Sequence, residues 1–168
     1  MTFDSQPVLR GDPVALRPLR VDDQDALYSV ASDPLIWEQH PDKTRCEPAG
    51  FEAFFRDAMN SGGALLVTDS ATGAVIGSSR FNAYDAEREE VEIGWTFLAR
   101  SHWGGGYNAE MKQLMLAHAF RFVSRVVFII GRENLRSQRA VEKIGAVSEG
   151  TRRDAAGRES LVFVIRSQ

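Results

Sequence analysis

The sequence predicts an α+β fold: a central mixed, mostly antiparallel sheet of about seven strands flanked by about four helices. Three observations predict it. Strand-type runs crowd together between residues 64 and 98, with turns too short for a crossover, so they run antiparallel. A helical period then takes over at Met111, Leu114, Met115, His118 and Phe122. Beyond it, residues 126–130 are wholly apolar and rich in β-branched side chains, as in a strand covered on both faces.

The elements follow in order. Val14-Ala15-Leu16-Arg17-Pro18 reads as a first strand. Asp22 or Asp23 caps the next helix, with Ala26, Leu27, Val30 and Ala31 as its apolar side and Pro34 just past its end. Residues 35–47 are irregular, with Pro41 and Pro48 as breakers. Phe51, Phe54, Phe55 and Ala58 fall at helical spacing, and Gly62-Gly63 ends that second helix. Residues 64–68, 74–84 and 91–98 form the meander, with Gly77 placed for a bulge. The long helix spans residues 107–122. A shorter one over 137–144 is closed by Gly145, and 146–152 with 160–165 make a last hairpin around Ala156-Gly157. No repeat or linker interrupts this order, so residues 1–168 read as one domain.

Bulk composition narrows the classes. Net charge is −3, so no basic excess points to nucleic acid as a partner. No run of 18 apolar residues exists, and the N-terminal residues lack a basic stretch followed by an apolar one, so no membrane partner and a cytoplasmic location are expected. The single cysteine, Cys46, fits a reducing compartment. His40, His102, His118 and Cys46 show no metal-ligand spacing, so no metal is expected, and Cys46 has no histidine at a nucleophile's motif spacing.

The chemistry concentrates in Arg100-Ser101-His102-Trp103-Gly104-Gly105-Gly106-Tyr107-Asn108-Ala109, where a strand passes into the long helix. Glycines let backbone N–H groups approach a ligand closely, and the helix behind adds free N–H groups and the positive end of its dipole. That combination suits a phosphate or pyrophosphate. A glycine turn without a ligand is an equal reading of the local sequence. The phosphate loop of NTPases requires Lys-Ser/Thr where Tyr107-Asn108 stand. The dinucleotide fingerprint belongs to a first βα unit, whereas this loop follows a meander.

Trp103-Gly104-Gly105-Gly106-Tyr107 resembles the Trp-Gly-x-Gly-Tyr phosphate loop of the GNAT acetyltransferase superfamily, in its ribosomal-protein N-terminal acetyltransferase-like branch. Asn134-Leu135-Arg136-Ser137 and Glu142-Lys143-Ile144-Gly145 resemble that family's second element. The element order resembles it over nearly the whole chain. The resemblance implies that acetyl-CoA is the acyl donor and that the backbone of Gly104, Gly105, Gly106, Tyr107, Asn108 and Ala109, after Trp103, holds its pyrophosphate. It implies that Trp95, Thr96, Phe97 and Leu98 run along the pantetheine arm, and that their strand splays from residues 126–130 to admit the thioester. Asn134 and Ser137 would contact pantetheine and thiol, and Arg139 a phosphate. Two positions depart from the pattern. Asn108 replaces a glycine or alanine, so the loop there is expected to need a different backbone angle. Val141 replaces a tyrosine that protonates the leaving thiolate.

Acetyl transfer needs a neutral amine, and a lysine-type amine with a pKa of about 10.4 is almost wholly charged at neutral pH. Glu92, on the strand beside the thioester, is the first choice of base, against an ordinary role as a solvent-facing carboxylate. Glu90 shares its face by alternation and is the second, beside the acceptor. Ser137 is the choice for the acid or thiol-contacting hydroxyl, against a role as a helix cap. Trp37 lies in the loop that covers the acceptor in this family, with Phe51, Phe54, Phe81 and Tyr84 as further lining. The partners implied are acetyl-CoA and an amine acceptor, a protein N-terminus or a small molecule; a homodimer is compatible with the family. The alternative is a regulatory domain that binds acyl-CoA without turnover.

Overall fold

In the computed structural model, which describes residues 2–168, the chain runs β1 (Leu9–Arg10), β2 (Val14–Pro18), α1 (Gln24–Ala31), α2 (Pro48–Ser61), β3 (Ala64–Asp69), β4 (Val75–Asp85) and β5 (Glu90–Leu98). It continues through α3 (Tyr107–Ala119), β6 (Arg125–Gly131), α4 (Leu135–Lys143), β7 (Val147–Arg153) and β8 (Glu159–Arg166). One eight-stranded sheet holds the order β1-β2-β3-β4-β5-β6-β8-β7. Only the β5–β6 pair is parallel, as a chain that crosses over once through a helix requires. No helix of the described residues is long and apolar enough to cross a membrane.

The eighth strand is the two-residue β1, which pairs Leu9 with Leu16 and is too short to leave a periodic signal. Two short 3-10 turns, Pro34–Trp37 and Thr44–Cys46, order the segment expected to be irregular. Two other expectations are corrected. The long helix stops at Ala119, not at residue 122, and the Phe122 N–H bonds Ala119 O in the following turn. Phe122 keeps the apolar spacing because it packs edge-on against Phe3, with ring centroids 5.3 Å apart. On α1, Leu27 and Ala31 are buried and Val30 partly so, but Ala26 faces solvent.

The sheet separates two main cores. Helix α3 covers one face, where Met111 and Met115 pack with Val91, Ile93, Val126 and Phe128. Helices α1 and α2 cover part of the other, where Leu27, Phe51, Phe54 and Phe55 pack with Leu66, Trp37 and Phe97. Val91 and Ile93 therefore point to α3, yet Phe97, also odd-numbered, points to α1 and α2. A register shift between β4 and β5 causes the change. Arg80 pairs with Gly94 and Ser78 with Phe97, so Trp95 and Thr96 together face Ser79. Trp95 takes a left-handed backbone angle, φ 51°, to make this bulge. Every side chain after it is turned to the opposite face. A second shift leaves Ile76 unpaired beside Gly77, where the sequence expects a bulge.

Phe81 belongs to the α3 core. It is 2% exposed and packs against Phe3 and His118. Phe81→Ala should lower unfolding free energy by about 3–5 kcal/mol, read from the denaturant midpoint. A loss under about 1 kcal/mol would place its ring outside the packed core.

Candidate active site

The cleft begins where the sheet comes apart. β5 and β6 pair through Glu90–Arg125, Val91–Val126 and Glu92–Val127, and pairing then stops. Past that point β5 bonds only to β4, so the opposite edge of residues 94–98 is free of sheet hydrogen bonds. The opening forms a cavity of about 710 Å³, floored by α3 and walled by β6 and the start of α4. Trp95, Thr96, Phe97 and Leu98 all line it.

The glycine loop closes one end of this cavity. Gly104 and Gly106 take φ 76° and 84°, angles that cost an L side chain, and Gly106 is the N-cap of α3. Among the described residues, no backbone acceptor takes the N–H groups of residues 104–109. Asn108 needs no special angle: it lies in the first turn of α3, and the two glycines carry the left-handed geometry. This corrects the expectation drawn from its replacing glycine. Gly104, Gly106, Asn108 and Ala109 line the cavity, and Trp103 stands at its rim with Nε1 donating to Leu98 O at 2.9 Å. Gly105 and Tyr107 do not line it. The Tyr107 ring packs under the loop, edge-on to His102.

Charge in the cavity has one sign. Arg45, Lys112, Arg136, Arg139 and Lys143 line it, and no aspartate or glutamate does. In a chain of net charge −3 this is a local reversal, and it favours a polyanion. Arg136 spans the mouth. It donates to Leu35 O and Glu38 and lies 4.7 Å from the Trp103 ring, tying α4 to the loop before α2.

Asn134 caps α4, its Oδ1 accepting from Ser137 N at 3.3 Å. Both residues face the cavity, as does Val141. Glu92 sits just outside, on the sheet face away from α3. Its carboxylate is 3.3 Å from where a Cβ on Gly94 would stand, and Gly94 lines the cavity. Glu92 is buried and accepts from Asn82 Nδ2 at 3.0 Å. Burial pushes its carboxyl above the ordinary range, against the pull of the Asn82 hydrogen bond.

The predicted acceptor residues divide. Trp37 is 2% exposed, lines the cavity and is anchored by Nε1 donating to Ala31 O. Phe81 and Tyr84 are corrections. Phe81 lies under α3, and Tyr84, 38% exposed, stacks on Phe3 away from the opening. Aromatic character marks both as candidate lining but does not show which packed layer covers them. Phe51 and Phe54 lie in the core behind Trp37. Glu90 is likewise a correction, because it is held by Arg125 and Arg152 at the paired end of β5 and does not line the cavity.

Lys112, like Arg45, is a site residue that sequence reasoning misses. It is 4% exposed, and its Nζ donates to Thr96 Oγ1 at 2.7 Å, which in turn shares a 2.8 Å hydrogen bond with Ser79 Oγ. Burial alone lowers its pKa to about 7. A lysine in a helix ordinarily reads as solvent-facing. The available signal was a second buried stripe, since Lys112, Leu116 and Ala119 stand at i, i+4 and i+7.

Residues 14–147 match the acetyltransferase (GNAT) domain model. The chain is 27% identical over 148 residues to p20 of Bacillus licheniformis, named an uncharacterized N-acetyltransferase, covering 84% of this chain and 83% of that one. A GCN5-related N-acetyltransferase structure from Brucella melitensis superposes with a TM-score of 0.84 at 23% identity, covering 96% of this chain and 79% of that one. Mycobacterium smegmatis RimJ, solved in complex with CoA-disulfide, gives 0.73 at 20% identity, covering 96% and 87%. These two structures share the fold.

The Lys112 burial has a consequence for stability. Its folded pKa is about 7, below the unfolded value, so the unfolded chain binds more protons between the two and stability rises with pH there. Lys112→Met removes that cost. It should melt above the wild type at pH 7, with the gap narrowing toward pH 10 in calorimetric scans. A gap independent of pH would show that Lys112 is solvated.

Proposed function

The chain belongs to the GNAT acetyltransferase family, and we propose that it transfers an acetyl group from acetyl-CoA to a primary amine by direct attack in a ternary complex. The observation that carries this reading is the cavity itself. It combines unpaired loop N–H groups, a strand edge without hydrogen-bond partners and a lining with cations but no carboxylates. CoA offers phosphates, two amides and a thioester in that order along its length. The loop over residues 104–109 with Arg139 suits the phosphates, and the open edge of Trp95 to Leu98 suits the amides. Asn134 supports the pantetheine arm, and Ser137 offers a hydroxyl to the sulfur.

Glu92 takes the proton from the attacking amine. Its raised pKa makes it a better base than an exposed carboxylate, and Gly94 leaves it an open path to the cavity. Trp37 covers the acceptor side. The ribosomal-protein branch resemblance supports a protein α-amine, and a small-molecule amine fits the same chemistry.

Acetyl-CoA should bind with saturable micromolar affinity in a calorimetric titration, and Gly106→Val should abolish it by denying the loop its φ of 84°. No binding at millimolar acetyl-CoA removes the reading. Glu92→Gln should leave that affinity unchanged and lower turnover at pH 7 by about 100-fold, a typical contribution of a general base. Wild-type rate should climb as Glu92 loses its proton, whereas the variant should follow only the ionisation of the amine. Normal turnover in Glu92→Gln would make the carboxylate structural.

A further inference from the structure

We propose that Lys112 is the proton donor to the departing CoA thiolate, an inference that rests on the acetyl-transfer reading. Its position carries the argument. Pairing of β5 with β6 ends at Glu92 and Val127, so Thr96 and Phe128 stand on the two opened arms. Lys112 Nζ lies 2.7 Å from Thr96 Oγ1 and 5.8 Å from the ring centroid of Phe128, the residue after the last pair, so it lines the cavity close to where the strands part. The bulge at Trp95 turns Thr96 toward α3 and so makes the contact. Of the three ammonium N–H groups, one has a protein acceptor among the described residues, and no carboxylate lines the cavity to hold the others.

The alternatives are weaker donors. Val141 has no proton to give, and the Ser137 hydroxyl, which lines the cavity, can hydrogen-bond the sulfur but is a far weaker acid than a thiol. His40, on the loop before α2, is pushed down to about 4 by burial and by Arg45, so it is neutral at pH 7. A guanidinium does not serve as a proton donor in proteins, which sets aside Arg45 on the same loop and Arg136 and Arg139 on α4. Lys143 lines α4, on an exposed position of its last turn. Across the sheet, Glu92 faces away from α3, and β6 presents no charge to the cavity. Among these groups, Lys112 combines an acidic proton with burial beside the parting strands. An ordinary lysine, with a pKa of about 10.4, would not protonate a thiolate whose acid has a pKa of about 8.5. Burial reverses that order by lowering Lys112 to about 7.

The step balances without a redox change. The amine nitrogen bonds the acyl carbon, and its proton passes to Glu92. The carbon–sulfur bond breaks with its electron pair on sulfur, which takes a proton from Lys112 Nζ. Lys112 regains a proton from solvent and Glu92 releases one, leaving amide and free thiol.

The test measures thiol release from acetyl-CoA with hydroxylamine as acceptor, a nucleophile small enough to need no pocket and neutral at pH 7. Lys112→Met should bind acetyl-CoA within about threefold of wild type and release thiol about 100-fold more slowly. It should also lose the fall in kcat/KM that the wild type shows as pH rises past about 7. Lys112→Arg should not restore the rate, because arginine keeps the charge but holds its proton. Rescue by arginine would make Lys112 a fixed charge and overturn the proposal, as would wild-type release by Lys112→Met with binding intact. A wild type that neither binds acetyl-CoA nor releases thiol would remove the acetyl-transfer reading itself, and Lys112's role with it. A readout free of turnover is NMR titration of the lysine side chains. Lys112 should titrate apart from the others, and a titration with the surface lysines near about 10 would overturn the assignment.

Discussion

Hydrogen bonding between β5 and β6 ends after Glu92 and Val127, and the rest of the site is arranged around that ending. A parallel pair buried in a sheet would ordinarily continue, since each unpaired backbone group in a buried place costs about 1–3 kcal/mol. Here Trp95 accepts a left-handed φ of 51°, the β4–β5 register slips, and the strands part. The departure creates a polar edge inside a protein, which is stable where water or an amide-bearing ligand can meet it. The same bulge sends Phe97 to pack with Trp37 and Phe54 while Thr96 turns under the sheet to Lys112. One strained residue thus shapes both walls of the cavity.

Electrostatics reinforces this geometry. Several carboxylates of the surrounding elements are engaged by arginines: Asp57 by Arg80, Asp33 by Arg100, Glu90 by Arg125 and Arg152. The cavity keeps five cationic residues and the free N–H groups at the start of α3. Lys112 and Glu92 flank the place where β5 and β6 part, from opposite faces of the sheet. Desolvation moves both toward neutrality, the carboxyl upward and the ammonium down to about 7. Such a pair suits a reaction in which one proton must leave an amine while another reaches a sulfur.

Much of the fold is legible from periodicity. The strand of residues 14–18, the meander, the amphipathic α2 and the last hairpin follow from alternation, spacing and turn residues. The end of α3 is not, because Phe122 keeps helical spacing while its backbone has already turned. The glycine loop, Asn134, Ser137, Arg139 and Trp37 are legible because they belong to local motifs, and the structure brings them to one cavity. Phe81 and Tyr84 are expected at the acceptor as aromatics accompanying Trp37, and Glu90 because it shares the face of Glu92. Which layer covers a face depends on the helices packed there and on the charges beside it.

The sequence by itself determined the order of elements from β2 onward and the glycine turn ahead of a helix, since these depend on neighbours in the chain, and its single cysteine rules out an internal disulfide. Tertiary structure decided where β5 leaves β6, which side of the bulge each side chain takes, and that a lysine in mid-helix is buried. Those outcomes depend on contacts between residues distant in sequence. A single slip of strand register reverses every face beyond it, and no local pattern records the slip.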